Sequence, residues 1–449
     1  MTNMKRTRLA WLGDVMARHA RAIQIFQWGM VAVYLFLVTA PAFLPTPDDS
    51  KHIWDNLVLF AQFAFWGVWW PFVMVSMLFM GRTWCGVFCP EGAMTEWASR
   101  RGLGRAIPPW LRWKGWPFVA FVCTTIYGQM ITVYEYPKAA FLILGASTVM
   151  ALGIGLVYGR GLRVWCRYLC PASGVFSLLS RLAPVYFRVD SEAWSAAPRI
   201  HAVNCATLVN VKTISGGGSC HMCGRCSSHR DAVTLAPRLP GSEVIQLPAR
   251  EVSAWDIILL LFGVMGVATG AFQWSMSPFF IALKQGLAAL LVEHDIIFPM
   301  TTTLPWWLLT NSEETGEMFS LLDGFCLISY ITANSLVMGS IALAGLMAAA
   351  RISGDPKSVW RLGYGLIPPG AVGLLVGLSS MTLTQLAGEG VSFAWVPDAR
   401  AGLLILGLGW SAILMWRILP RQNKPLAWLA AMVGGFAHAG LWAVAFFIW

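Results

Sequence analysis

About nine times along this chain, some twenty consecutive residues run almost free of charge, the length an α-helix needs to cross a bilayer. The stretches lie at roughly 22–44, 57–80, 116–134, 139–158, 254–274, 319–349, 359–388, 400–419 and 425–449. Charged residues are only 12% of the 449. A soluble domain carries about a quarter, so a soluble globular fold is excluded. The predicted fold class is an all-α polytopic membrane protein of about nine transmembrane helices, interrupted by one small loop-rich insertion.

The charges between the stretches alternate in sign. Basic residues collect at the N-terminus (Lys5, Arg6, Arg8, Arg18, Arg21), in the 81–115 loop (Arg82, Arg100, Arg101, Arg105, Arg112, Lys114) and along 159–253. They recur at Arg351, Lys357 and Arg361, and at Arg417, Arg421 and Lys424. The intervening loops carry Asp48, Asp49 and Asp55, then Glu135, then Glu313, Glu314 and Glu317, then Glu389 and Asp398. Loops rich in Lys and Arg stay cytoplasmic. The N-terminus is therefore expected inside and the C-terminus in the periplasm of a bacterial inner membrane, which an odd number of spans requires. The same rule accounts for the net charge of +10 without nucleic acid as a partner. The apolar stretch at 276–310 contains Lys284, Glu293, His294 and Asp295, and is expected to lie at the outer face as an amphipathic or re-entrant segment. Ala40-Pro41-Ala42 resembles a signal-peptide cleavage site, but the apolar run before it is long, so a retained first helix is expected.

Three regions follow. Residues 1–158 form two transmembrane hairpins and hold the first cysteine motif. Residues 159–253 hold the second motif and the only long polar stretch, with Pro184, Pro198, Pro237, Pro240, Pro248 and a Ser-Gly-Gly-Gly-Ser run at 215–219. Residues 254–449 are a second helical block. The hairpin with its motif reads as an internal repeat about eighty residues long.

Eight of the ten cysteines fall into two groups of four, the ligand count of an iron–sulfur cluster. The first group is a spacing that occurs twice: Trp84-Cys85-x3-Cys89-Pro90 and Trp165-Cys166-x3-Cys170-Pro171, each with an arginine (Arg82, Arg163) two residues before its Trp. Pro favours the first position of a helix, so Cys89 and Cys170 are expected at helix N-termini. There the helix ends and Arg82, Arg163 and Arg167 favour thiolates or a negative cluster. Convergence of Cys85, Cys89, Cys166 and Cys170 would hold a second cluster; a redox dithiol or a Cu(I) site uses the same sulfurs. The other group is Cys205 with Cys220-x2-Cys223-x2-Cys226. A run of that spacing wraps a [4Fe–4S] cubane, with Cys205 brought in by the flexible glycine run as fourth ligand. Tetrahedral zinc is the alternative. His221 and His229 are expected to face solvent or donate to cluster sulfur rather than ligate. Cys123 and Cys326 read as small buried hydrophobes.

Arg-x-Trp-Cys-x3-Cys-Pro, repeated after paired spans and followed by a ferredoxin-like loop, resembles the membrane polyferredoxins of the NapH/NosR type. The copper-reducing assembly factors of cbb3 oxidases share the same core. The resemblance covers roughly residues 22–250. Cys85, Cys89, Cys166 and Cys170 match its paired motif, and Cys220, Cys223 and Cys226 its ferredoxin motif. It implies a membrane-embedded component of a quinol-linked oxidoreductase system, passing electrons between the quinone pool or a cytoplasmic donor and a respiratory redox partner protein. The copper-reducing relatives imply the alternative, a metal-handling maturation factor for a respiratory metalloenzyme. The chain departs from the family in having one reduced ferredoxin run instead of two complete ones. The short form of the family also lacks the 254–449 block.

Overall fold

The structure, a computed structural model, describes residues 7–47, 51–197, 203–214, 216–312 and 315–449. Lys5, Arg6, Asp48, Asp49, Pro198, Ser215, Glu313 and Glu314, used in the sequence argument, lie outside the described residues.

Among the described residues, eight helices are long and apolar enough to cross a membrane: Ala20–Phe43, Leu57–Met80, Pro137–Val157, Ala254–Met276, Leu321–Ile352, Pro356–Gly388, Val396–Ile418 and Lys424–Phe447. The expected span at 116–134 is a shorter helix, Trp116–Met130, of 15 residues. At 1.5 Å per residue it reaches about 23 Å, less than the hydrocarbon core. It stops where Thr132 takes a positive φ of 46°. The odd count of spans expected from the sequence therefore depends on this one helix. The 276–310 stretch contains a 16-residue helix, Pro278–Glu293, and two short paired strands follow, Asn311–Ser312 and Glu317–Met318.

The chain divides into two compact units. The first comprises Met1–Phe36, Phe72–Pro117 and Ala146–Leu247, and the second Leu37–Pro71, Phe118–Gly145 and Pro248–Trp449. The first unit contains all eight clustered cysteines. Its polar part is built on an antiparallel pair of strands, Val185–Val189 with Val233–Pro237, in the register Phe187 opposite Leu235. Phe187, Val211, Met222, Val233 and Leu235 form a small core, and Cys205, Cys220 and Cys226 pack against it. The amphipathic helix Arg8–Arg18, capped by Thr7, closes over this core. A Cβ on Gly13 would stand 2.8 Å from Ser227 Oγ and 3.0 Å from Leu235 Cβ.

The glycine run before Cys220 is not a flexible spacer. A Cβ on Gly216 would fall 2.2 Å from the Glu243 carboxylate, and one on Gly217 2.8 Å from the Ser180 carbonyl. Glu243 accepts from the Gly217 N–H at 2.7 Å and pairs with Arg181 and Arg238, all three side chains being buried. Glycine stands here because nothing larger fits.

The second unit packs its helices through small residues, the usual solution where lipid offers no hydrophobic drive for association. A Cβ on Gly345 would meet the Ala430 carbonyl at 2.6 Å, and one on Gly434 would meet Ala342 Cβ at 2.6 Å. Asn334 donates to the Gly266 carbonyl and Ser335 to that of Phe262, so these polar groups lock helix pairs. Cys326 is fully buried in this packing. Cys123, expected to be buried, lies exposed on the outer surface of its helix.

Candidate iron–sulfur centre

Both cysteine motifs make the same backbone turn. The Cys89 N–H donates to the Trp84 carbonyl at 2.9 Å, and the Cys170 N–H to the Trp165 carbonyl at 3.0 Å. An i to i+5 closure is wider than an α-turn, and it spreads the two cysteines of each motif around the rim of a loop. After the first copy, Pro90 starts the helix Pro90–Arg101 with Cys89 as its N-cap, and the Gly92 N–H points to Cys89 Sγ at 3.4 Å. The second copy departs from the expected N-cap: its helix begins only at Ser173, with Ala172 as cap. The Ala172 N–H still reaches Cys170.

The two arginines ahead of the motifs cross over. Arg163, of the second copy, donates from Nη1 to the Cys85 carbonyl of the first copy at 2.6 Å. Arg82, of the first copy, donates to Ser173 Oγ at 2.8 Å, and Ser173 Oγ donates to the Cys166 carbonyl at 2.7 Å. Each copy thus holds the first cysteine loop of the other. Both arginines are buried, Arg163 at 1% exposure. A buried guanidinium needs a counter-charge, and Glu96 supplies it to Arg163 at 2.8 Å. Sequence reasoning missed Glu96; its mark there is a lone carboxylate among uncharged residues in Ala93-Met94-Thr95-Glu96-Trp97-Ala98.

These braces bring the four sulfurs together. Burial pushes the Cys89 thiol up to about 12, with Cys85 and Glu91 adding to the rise and Gly92 and Arg163 opposing it. Burial likewise raises Cys166 well above the ordinary thiol value, reinforced by Cys89, Cys170 and Cys85. It raises Cys170 too, with Glu91, Cys89 and Cys85 contributing. For Cys89 and Cys166 the nearby Arg163 works against that rise, and burial with mutual repulsion outweighs it.

The second group converges in the same way. Burial raises Cys220, with Cys226, Cys223 and Cys205 adding to it. Burial also brings Cys226 to about 12, with Cys223 and Cys205 contributing. The Met222 N–H points to Cys220 Sγ at 3.4 Å, and Thr207 Oγ1 lies 3.3 Å from Cys205 Sγ. His221, expected to face solvent or donate to sulfur, is 4% exposed. Burial, then Arg82, Arg163 and Arg167, keep it neutral. His229 is half-buried against the Trp194 ring.

The donor sets, four cysteines each, have the chemistry that a [4Fe–4S] cluster requires. Four thiolates on one zinc at ~2.3 Å would stand only ~3.8 Å apart. Among the described residues no three His, Cys, Asp or Glu side chains gather closely enough to hold one ion. Two buried N–H groups beside the cysteines, Arg163 Nη2 and His221 Nδ1, have no protein acceptor. Inorganic sulfide or thiolate would supply one.

Comparison with known proteins bears on the same residues. Two segments, 62–114 and 143–187, match the family model of a 4Fe-4S binding domain. They contain Cys85 and Cys89, and Cys166 and Cys170; Cys205 to Cys226 lies outside both. A protein of Escherichia coli (strain K12), named "Putative electron transport protein YccM", is 23% identical over 228 residues. That match covers 44% of this chain and 62% of the Escherichia coli protein, less than two thirds of its length. No solved structure matches. Sequence, fold and comparisons together support an iron–sulfur electron-transfer role for a polytopic helical membrane protein.

Proposed function

We propose that this protein holds two [4Fe–4S] clusters, one on Cys85, Cys89, Cys166 and Cys170 and one on Cys205, Cys220, Cys223 and Cys226. It passes electrons between the quinone pool or a cytoplasmic donor and a respiratory redox partner at the bacterial inner membrane. The observation that carries the reading is the convergence of two separate four-cysteine sets within one unit, each with backbone N–H groups aimed at sulfur. When bound, such clusters supply one-electron chemistry at thiolate-ligated iron.

The chain's own residues do the rest. The crossed arginines fix the two motif loops. The buried amides and the Arg163–Glu96 pair stabilise negative charge at sulfur. The helix Arg8–Arg18 shields the second set from water, with Met16 against Gly224, where a Cβ would stand 2.5 Å from Met16 Cβ.

For the quinone side of the reading, the second unit offers a cavity of about 630 Å³ lined by Trp274, Phe280, Phe319, Gln129, Lys284 and Asp323. Aromatic walls with a few convergent polar groups suit a ring with two oxygens. The basic loops of the sequence put the cysteine motifs on the cytoplasmic face. The test is electron paramagnetic resonance of anaerobically purified, dithionite-reduced protein. Signals of reduced [4Fe–4S] centres are expected, and their absence would end the proposal.

A further inference from the structure

The two cysteine sets are physically joined. Gly86, inside the first motif, lies so close to the second set that a Cβ there would be 2.1 Å from the His221 carbonyl oxygen and 2.8 Å from the Cys223 nitrogen. Its own carbonyl is held by Gln27 Nε2 at 2.8 Å. Backbone of one set is thus in direct contact with backbone of the other.

One residue lies at this junction. The Arg163 backbone N–H donates to the Ala206 carbonyl, next to Cys205, at 2.6 Å, which fixes the residue between the sets. Its Nη1 donates to the Cys85 carbonyl, and its charge is felt by both Cys166 and Cys223. Its Nε pairs with Glu96, which also receives both guanidinium nitrogens of Arg225, from between Cys223 and Cys226, at 2.8 and 2.9 Å. Arg100 adds a third contact to the same carboxylate. Glu96, 4% exposed, therefore links a residue of the first set's brace to a residue of the second set's loop. The Arg163 main chain bonds beside Cys205 and its guanidinium bonds beside Cys85 and, through Glu96, to Arg225 of the second loop, while its Nη2 is left without a protein acceptor.

We propose that Arg163, held by Glu96, is a positioning residue shared by both iron–sulfur sites and sets their reduction potentials together. This rests on the two-cluster reading above. A fixed positive charge in a buried site stabilises the more negative, reduced form of whatever redox group lies beside it. Because the charge lies against both sets, removing it acts on both.

The experiment is a potentiometric titration of full-length, anaerobically purified protein in nanodiscs, followed by electron paramagnetic resonance. In Arg163→Gln both midpoint potentials are expected to move to lower values, and Arg163→Lys to restore them towards the unmutated protein. In Glu96→Gln, which removes the opposing charge, both are expected to rise. A merely structural role would alter cluster content without these opposite, joint shifts. Movement of one signal alone, or of neither, overturns the proposal. If Arg163→Gln retains no iron, the joint rise in Glu96→Gln decides, and its absence overturns the proposal. Iron and sulfide analysis of the unmutated protein separates the two levels: absence of clusters there sinks the two-cluster reading, whereas intact clusters with unlinked potentials sink only the role of Arg163.

Discussion

Replacing Gly86 with alanine is the most demanding perturbation of the junction between the cysteine sets. The added carbon would sit 2.1 Å from His221 O, 2.8 Å from Cys223 N and 2.9 Å from Cys223 Cα. Comfortable carbon–oxygen contact begins near ~3.3 Å, so the loops must separate by about 1 Å. The obstructing atoms are backbone, so no rotamer change relieves them. Forced overpacking of this kind costs about 1–3 kcal/mol, and rigid surroundings put Gly86→Ala at the upper end. The glycine is not needed for a left-handed φ, so the effect isolates the contact. The assay is loss of cluster absorbance in a guanidinium titration, with iron per chain measured at each point. Gly153→Ala, on a helix position with nothing within 4 Å, serves as control. Gly86→Ala should lose its clusters at clearly lower denaturant while the control follows the unmutated protein. Identical curves for all three would refute the claim that the two sets meet there.

Two more predictions follow from the buried charges. Glu243→Gln leaves Arg181 and Arg238 uncompensated beside the glycine run; losing one partner of a buried pair costs about 3–5 kcal/mol. Hydrogen exchange at residues 216–220 should accelerate, and unchanged protection would contradict the assigned anchor. Burial works to raise the Glu96 carboxyl, but Arg163 and Arg225 outweigh it and hold it at about 2. A depressed folded-state value gives stability that is fully present above the unfolded value and lost as pH falls through the folded one. The difference in stability between the unmutated protein and Glu96→Gln, on the order of 3 kcal/mol, should therefore be constant above about pH 5 and shrink towards pH 2. A difference that stays flat down to pH 2 would show that the ion pair contributes nothing.

The two groups of four cysteines were legible in the sequence because ligand spacing is local. Their bracing was not. Arg82 and Arg163 stand at the same offset in both copies, a visible signal, yet their crossing to the opposite copy depends on tertiary placement that spacing does not encode. Glu96 and Glu243 escaped notice for the same reason: each has one arginine nearby in sequence, Arg100 and Arg238, but the partners that bury it, Arg163 and Arg181, lie 67 and 62 positions away. The N-cap at Cys89 followed from Pro90. The same reasoning failed at Cys170, where Pro171 sits in a turn two residues before the helix Ser173–Ser180. Apolar length pointed to the eight helices that, among the described residues, are long enough to span, while at 116–134 hydropathy does not register the break at Thr132 that ends a shorter helix. Glycines at 216–218 looked like a linker, and only the packed Glu243–Arg181–Arg238 group explains them.

The central claim is that each four-cysteine set holds its own cluster. Iron per chain should be measured in the unmutated protein and in the double variant Cys85→Ser, Cys166→Ser, both prepared anaerobically. The account predicts about eight irons falling to about four, with the remaining resonance belonging to the Cys205–Cys226 set. Full iron retained in the double variant, or stoichiometric copper or zinc in place of iron, would contradict it.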